Sequence, residues 1–398
     1  MKSKRFAQIY IWLWIIYLFF MAVLQQSSIG MLELIIVVWS SYYFLKILTD
    51  KSAKPFFVYA LTALLLLFLV YTIFAIGEGR VYIHSGHNMR VTGIVYFRKI
   101  VLSIIPIYAF YYFSKNGAVE KKDITKYIWI FMILLIIGTI SSRMLHMEIK
   151  GEEGTDNFGY KVLSFLPLLS FYANKSFKQF FMYILCMLLI LTSMKRGAIL
   201  TGIVISLFMF YYMYRTSGSK LNYKFIFILL FVGIIIFYAV NELMEYSSYF
   251  QERVDDTVEG NSSARDAYYE FFFNIFMYRT TTHEFWFGQG AFSTLFIWGN
   301  YAHNDWLEIA INQGMFGVIV FLIFTISFLS LCFKKQDDIR VKSALWMLFG
   351  IFFLRTLFSM SYDQFSLYYN IVLGYCLAQT GIQSKKEQLK HLAKSIIR

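Results

Sequence analysis

One histidine and a handful of cations carry most of the chemical potential of this chain. His303, followed by Asn304 and Asp305, opens what reads as a helix directly after the longest polar connection. Asn304 or Asp305 can cap that helix, and Asp305 with Glu308 has the spacing of a capping box. Gly314 is placed to stop the helix or to turn it into the apolar run that follows. The positive end of a helix dipole disfavours further positive charge, so His303 is expected to hold a neutral imidazole able to accept a proton. The plain alternative is a surface loop histidine with no chemistry.

The cations form a second set. Lys195 and Arg196, in LTSMKRGAIL, sit between two apolar runs, with Gly197 allowing a bulky group to approach the backbone. Such a pair suits a phosphate or diphosphate, Arg as a bidentate fork and Lys as a point charge; simple snorkelling to lipid headgroups is the alternative. Arg265 falls in the first turn of an aromatic-rich helix and can reach an anionic headgroup, or pair locally with Asp266. Arg98, Lys99 and Arg355 lie inside apolar runs, where ionisable residues are costly and become functional candidates. Of these Arg355, a turn or two from the outer end of its run, is the stronger. Glu33 lies at a similar level and can serve as a structural partner for one of them.

The elements that must position these residues follow from composition. Of 398 residues, 58% are hydrophobic and 20% aromatic, and mean hydropathy is +0.56. The apolar residues come in runs long enough to cross a bilayer as helix, without the period-two alternation of a barrel. The expectation is an all-α polytopic membrane protein with about twelve crossings, at roughly 7–26, 29–48, 55–77, 94–114, 126–142, 159–173, 178–194, 197–214, 222–243, 314–333, 343–360 and 366–382. With three prolines in all, most helices should be intact, with kinks near Pro106 and Pro167. The basic N-terminus reads as an uncleaved first helix.

Lys and Arg alternate in a way that orients the chain. Basic clusters precede the first run and follow the second, fourth, sixth, eighth, tenth and twelfth, which puts both termini in the cytoplasm. Lys195 and Arg196 break this rule by lying at the outer end. The chain divides into nine spans over 1–240, an extracytoplasmic loop with the catalytic segment over 241–313, spans ten to twelve over 314–382 and a basic cytoplasmic tail over 383–398. A connection as long as 241–313 is functional or disordered. The aromatic stretch DAYYEFFFNIFMY argues for two or three short helices on the outer surface. Ser263 and Asp266 offer a capping box there, and Tyr269, Phe272, Phe273 and Phe276 are available to lie in the interface.

Several chemistries are excluded by type and spacing. No Cys cluster, His-x-x-x-His pair or D-x-D offers a metal site, so no metal or cofactor is expected. No P-loop or GxGxxG is present. The net charge of +13 is spread over short loops and is no nucleic-acid footprint. The adjacent pairs Asp255-Asp256 and Asp337-Asp338 do not face each other on a helix and make no acid/base couple.

The string His303, Asn304, Leu307, Glu308, Gly314, Gly317 has the form H-N-x-x-L-E-x-x-x-x-x-G-x-x-G and follows a long outer loop. In this it resembles the O-antigen ligase and Wzy-type polysaccharide polymerase superfamily. Lys195-Arg196-Gly197, where the family usually has S-R-G, Ser262-Ser263 with Arg265, and the pair Gly288 and Gly290 in FGQGAF extend the resemblance. It implies a GT-C-like, metal-independent, inverting glycosyltransferase using an undecaprenyl-diphosphate-linked oligosaccharide as donor. By that analogy His303 is the general base on an acceptor glycan hydroxyl, and Arg196 and Arg265 hold the diphosphate, with Lys195 and Arg355 as further cations. Asn304 and Glu308 would orient the acceptor or the ring. The implied setting is the bacterial cytoplasmic membrane with the site facing outward, and a separate protein that regulates chain length is a natural partner. A polymerase of O-antigen, capsule or exopolysaccharide units is the favoured function; a ligase to lipid A core is the alternative. A flippase would fit the span count but expects repeats and midplane charges, and a sensor or scaffold is the non-catalytic reading.

Overall fold

Apolar backbone in a bilayer must satisfy its own polar groups, and here it does so almost wholly as helix. The computed structural model describes residues 2–23, 30–79, 81–84, 89–150, 157–172, 176–216, 265–359 and 365–397, with scattered residues between 233 and 255. The first helices are α1 (Lys2–Val23), α2 (Gly30–Thr49), α3 (Phe56–Gly77), α4 (Gly93–Lys115) and α5 (Lys121–Lys150). A short α6 (Phe158–Phe165) runs into a 3-10 turn (Leu166–Phe171) that has Pro167 in its first turn. Then come α7 (Ser176–Thr192) and α8 (Arg196–Thr216). In the long connection lie α9 (Arg265–Asn274), a π-turn (Ile275–Arg279), α10 (Thr282–Phe287) and α11 (Ser293–Trp298). The last helices are α12 (Asp305–Phe333), α13 (Ile339–Phe358) and α14 (Leu367–Ile397).

Among the described residues six helices have the length and apolarity to cross a membrane: Ser3–Val23, Gly30–Thr49, Phe56–Gly77, Gly93–Lys115, Lys121–Met144 and Asp305–Phe333. Shorter apolar helices occupy Phe158–Phe171, Lys178–Thr192 and Arg196–Tyr212. The chain is an integral membrane protein. The ninth expected span, 222–243, falls largely outside the described residues. The all-helical expectation has one exception. Val81–His84 and Met89–Thr92 pair antiparallel, with Val81 opposite Thr92, in the loop between α3 and α4.

The core is built around α4, which packs against α2, α3 and α14 and continues through Pro106. Several polar groups inside it are matched across helices. Tyr10 and Ser40 share a 2.6 Å hydrogen bond between α1 and α2, and Asn370 Nδ2 donates to the Ser103 carbonyl at 2.9 Å. Glu33, 3% exposed, takes Arg98 Nε at 3.2 Å and the Tyr17 hydroxyl at 3.2 Å. The Glu33–Arg98 pair is therefore the structural partnership that the sequence offered as an alternative.

Helix α12 carries the backbone feature on which the His303 end of the molecule depends. At Gly314 the chain leaves helical geometry (φ 68°, ψ −167°) and then resumes as the span. A break there deprives carbonyls of the preceding turn of their helical donors. The FGQGAF loop supplies replacements: Gln289 N–H donates to Ile311 O at 2.9 Å and Gly290 N–H to Asn312 O at 3.0 Å. The approach is so close that a Cβ on Gly314 would lie 2.5 Å from the Gly288 nitrogen, and one on Gly288 2.4 Å from the Asn312 carbonyl. Gly314→Ala combines a left-handed φ with that clash. It is expected to destabilise the protein by about 2–4 kcal/mol, read as a lower unfolding temperature in detergent.

Candidate active site at the start of helix α12

Three hydrogen-bond systems fix the segment that carries His303. Asn304 is the cap of α12: its Oδ1 accepts the N–H groups of Trp306 (3.0 Å) and Leu307 (3.2 Å). Its Nδ2 donates to the Leu357 carbonyl at 3.2 Å, at the end of α13. The Tyr269 hydroxyl of α9 lies 3.1 Å from that same carbonyl and 3.2 Å from the carbonyl of His303, so its single proton serves either one. The Trp306 indole N–H donates to Thr356 Oγ1 at 3.2 Å. Loop, α9 and the end of α13 thereby meet at one point. His303 itself is half-buried, in the left-handed backbone region at φ 54°.

The expected capping box of Asp305 and Glu308 does not form. Asn304 alone caps, and Glu308 turns inward, 1% exposed. Its carboxylate accepts the Ala302 N–H at 2.9 Å, Asn312 Nδ2 at 3.0 Å and the Thr294 hydroxyl. These donors come from the loop before His303, from α12 itself and from α11. Glu308 thus shapes the segment rather than facing an acceptor. The aromatic face of α9 also departs from expectation. Phe272 and Phe276 are buried against Ala302, Ala310 and Ile311 instead of lying in the interface, while Phe273 is 49% exposed.

The cations approach this segment from two sides. Arg355, 3% exposed and in the last turn of α13, lays its guanidinium over the Tyr160 ring at 4.7 Å. Arg265 is the first residue of α9, one turn before Tyr269. Burial pushes the Tyr269 phenol above its ordinary range, with Arg265 opposing and Asp266 and Tyr160 adding, so it acts as a neutral donor. Tyr160 thus ties Arg355 to the start of α6. On its other flank, Gly159 packs against the turn before α8: a Cβ there would meet Ser193 Oγ at 2.4 Å and Ala198 Cβ at 3.2 Å. That turn holds Met194 at φ 51° and presents half-buried Lys195 and Arg196 at the start of α8. Arg143 of α5 joins from outside, its guanidinium donating to the Met194 sulfur at 3.6 Å.

The start of α6 is thus the hub between the Lys195–Arg196 turn and the Arg355–Tyr269–His303 corner. Arg98 is committed to Glu33 on α2. Ser262 and Ser263, with the capping box proposed for Ser263, lie outside the described residues. Tyr160, Thr294 and Arg143 were not legible as site residues. Tyr160 looked like one more aromatic at a span boundary, and Arg143 like the edge of an acidic loop. Tyr269 was visible only as an interfacial ring.

An integral membrane protein with one histidine and several arginines gathered where helices end is the class these observations define. Residues 181–322 match the family model described as O-antigen ligase, so over this stretch the chain is similar to that family. The match runs from α7 into α12 and includes Lys195, Arg196, Arg265, His303, Asn304 and Glu308. Comparison of the chain with curated proteins finds no match.

Removing the Glu308 carboxylate leaves buried donors without an acceptor. Glu308→Ala is expected to cost about 3 kcal/mol and to lower the unfolding temperature in detergent. An unchanged transition would show that the carboxylate does not hold the segment.

Proposed function

We propose that this protein is a polymerase of surface polysaccharide, working through about twelve membrane crossings in a GT-C-like arrangement. It would join lipid-linked repeat units on the outer face of the bacterial cytoplasmic membrane, with both termini inside. The donor is a glycan on undecaprenyl diphosphate and the acceptor is a sugar hydroxyl of another glycan. The observation that supports this reading is the Tyr269 hydroxyl bridging the carbonyls of His303 and Leu357, with Arg265 one turn before it on α9, Arg355 two residues before Leu357, and the turn before Lys195 and Arg196 packed on the start of α6.

In the transfer, the acceptor oxygen attacks the anomeric carbon of the donor from the face opposite the leaving group, and configuration inverts. The bond from that carbon to the diphosphate oxygen breaks as the new glycosidic bond forms. His303 takes the proton from the acceptor hydroxyl, and undecaprenyl diphosphate leaves with the electron pair. Arg196 and Arg265 bind the diphosphate and stabilise the charge that grows on it, with Lys195 and Arg355 adding positive field. Diphosphate is a good leaving group, so one base and cationic clamps suffice. Asn304 and Glu308 orient the base through the backbone on either side of it. A protein that regulates chain length is the partner this chemistry calls for.

The family description favours a second reading, transfer of the finished glycan to a lipid A core by a ligase. Reconstitution with a lipid-linked repeat unit as the sole substrate separates the two. A size ladder on a gel supports the polymerase, and long chains made only when core acceptor is added support the ligase.

His303→Ala should abolish chain growth while membrane insertion and abundance stay normal; normal-length product from this variant removes the base assignment. Arg196→Ala and Arg265→Ala should each weaken donor binding by about 1.5–3 kcal/mol, the scale of a hydrogen bond to a charged group. Titration of the purified protein with lipid-linked donor reads this out, and unchanged affinity in both variants removes the clamp.

A further inference from the structure

At the end of α5 remote from Arg143, a cleft of about 820 Å³ opens between the first turns of α5, the end of the 3-10 turn and α14. Lys126 and Arg143 are separated by roughly 25 Å at the helical rise of 1.5 Å per residue, so the cleft is distinct from the His303 corner. Its wall carries Lys121, Lys122 and Lys126, and its floor is aromatic, with Trp129, Tyr172 and Tyr375. The Trp129 indole N–H donates to the Tyr172 hydroxyl at 3.0 Å, which holds the floor together, yet Trp129 remains 40% exposed.

The local carboxylates do not neutralise this wall. Glu120, which also lines the cleft, pairs with Lys122 at 2.9 Å, and Asp123 faces Lys4 at 3.5 Å. Among the described residues neither Lys121 nor Lys126 has a carboxylate within ion-pair distance. Basic clefts between helix ends, rimmed by Trp and Tyr at headgroup level, have the chemistry of anionic lipid sites: ammonium groups for the phosphate and an apolar floor for the glycerol and first methylenes.

We infer that the cleft formed by Lys121, Lys126 and Trp129 is a binding site for a phospholipid with an anionic headgroup, in the leaflet opposite the proposed glycan-transfer site. Charge complementarity selects the occupant. A zwitterionic lipid brings an ammonium group that Lys121 and Lys126 would repel, and a free phosphate leaves the aromatic floor uncovered.

The test uses the full chain in neutral detergent, with phosphatidylglycerol, phosphatidylcholine or inorganic phosphate added. Phosphatidylglycerol should raise the unfolding temperature more than phosphatidylcholine does. The double variant Lys121→Gln/Lys126→Gln should lose at least half of that difference, and Lys121→Arg/Lys126→Arg should keep it. Independently of any variant, native mass spectra of the wild-type protein should retain phosphatidylglycerol over phosphatidylcholine by about threefold or more, a modest affinity ratio. Equal retention of the two lipids, an undiminished effect in the Gln variant, or an equal effect of inorganic phosphate would overturn the site.

Discussion

A buried carboxylate holds the start of α12 in register. Glu308 sits in the second turn of α12 and draws three donors to itself, from α11, from the loop before His303 and from its own helix. A carboxylate taken out of water persists only if its oxygens are fully engaged, so each of these bonds is compulsory in a way that a surface contact is not. The geometry of His303 is a by-product of that demand. With Ala302 tied on one side and Asn304 locked as the cap on the other, the residue between them has little backbone freedom left. Its left-handed conformation is sustained by those neighbours, and its carbonyl is met by Tyr269.

The same economy runs through the cations. Arg355 is deep inside the protein yet lies on an aromatic face, and Arg98 is answered by Glu33. Charges near a membrane are expensive when isolated, and these two show the solutions open to a helical bundle: a π-system, or a carboxylate on the neighbouring helix. Lys195, Arg196 and Arg265 stand instead at helix starts and loop turns, where the backbone also points N–H groups outward.

Much of the scaffold was legible in the sequence because bilayer crossing leaves a strong signature. The predicted runs at 29–48, 55–77 and 94–114 match α2, α3 and α4 within a residue or two, and the cap at Asn304 and the turn at Gly314 were readable from type and spacing. What escaped was tertiary in origin. Nothing local tells Glu308 to turn inward rather than reach back in a capping box. Likewise the helical stripe of Tyr269, Phe272 and Phe276 has the same period whether it faces lipid or a protein groove. The pairing of Val81–His84 with Met89–Thr92 was hidden because four-residue strands between long apolar runs carry no distinctive pattern. The pairing of Tyr160 with Arg355 joins residues nearly two hundred positions apart, and a single sequence holds no trace of it.

The break at Gly314 has a mechanical consequence. Because the 288–290 segment donates to carbonyls that an unbroken helix would have satisfied itself, this loop and helix α12 are stitched into one stiff body. Neither can swing without exposing bare peptide groups to hydrocarbon. Any large opening of this end must therefore hinge elsewhere, at joints where the backbone is already solvated, and the histidine rides through such a movement as a fixed point of the frame.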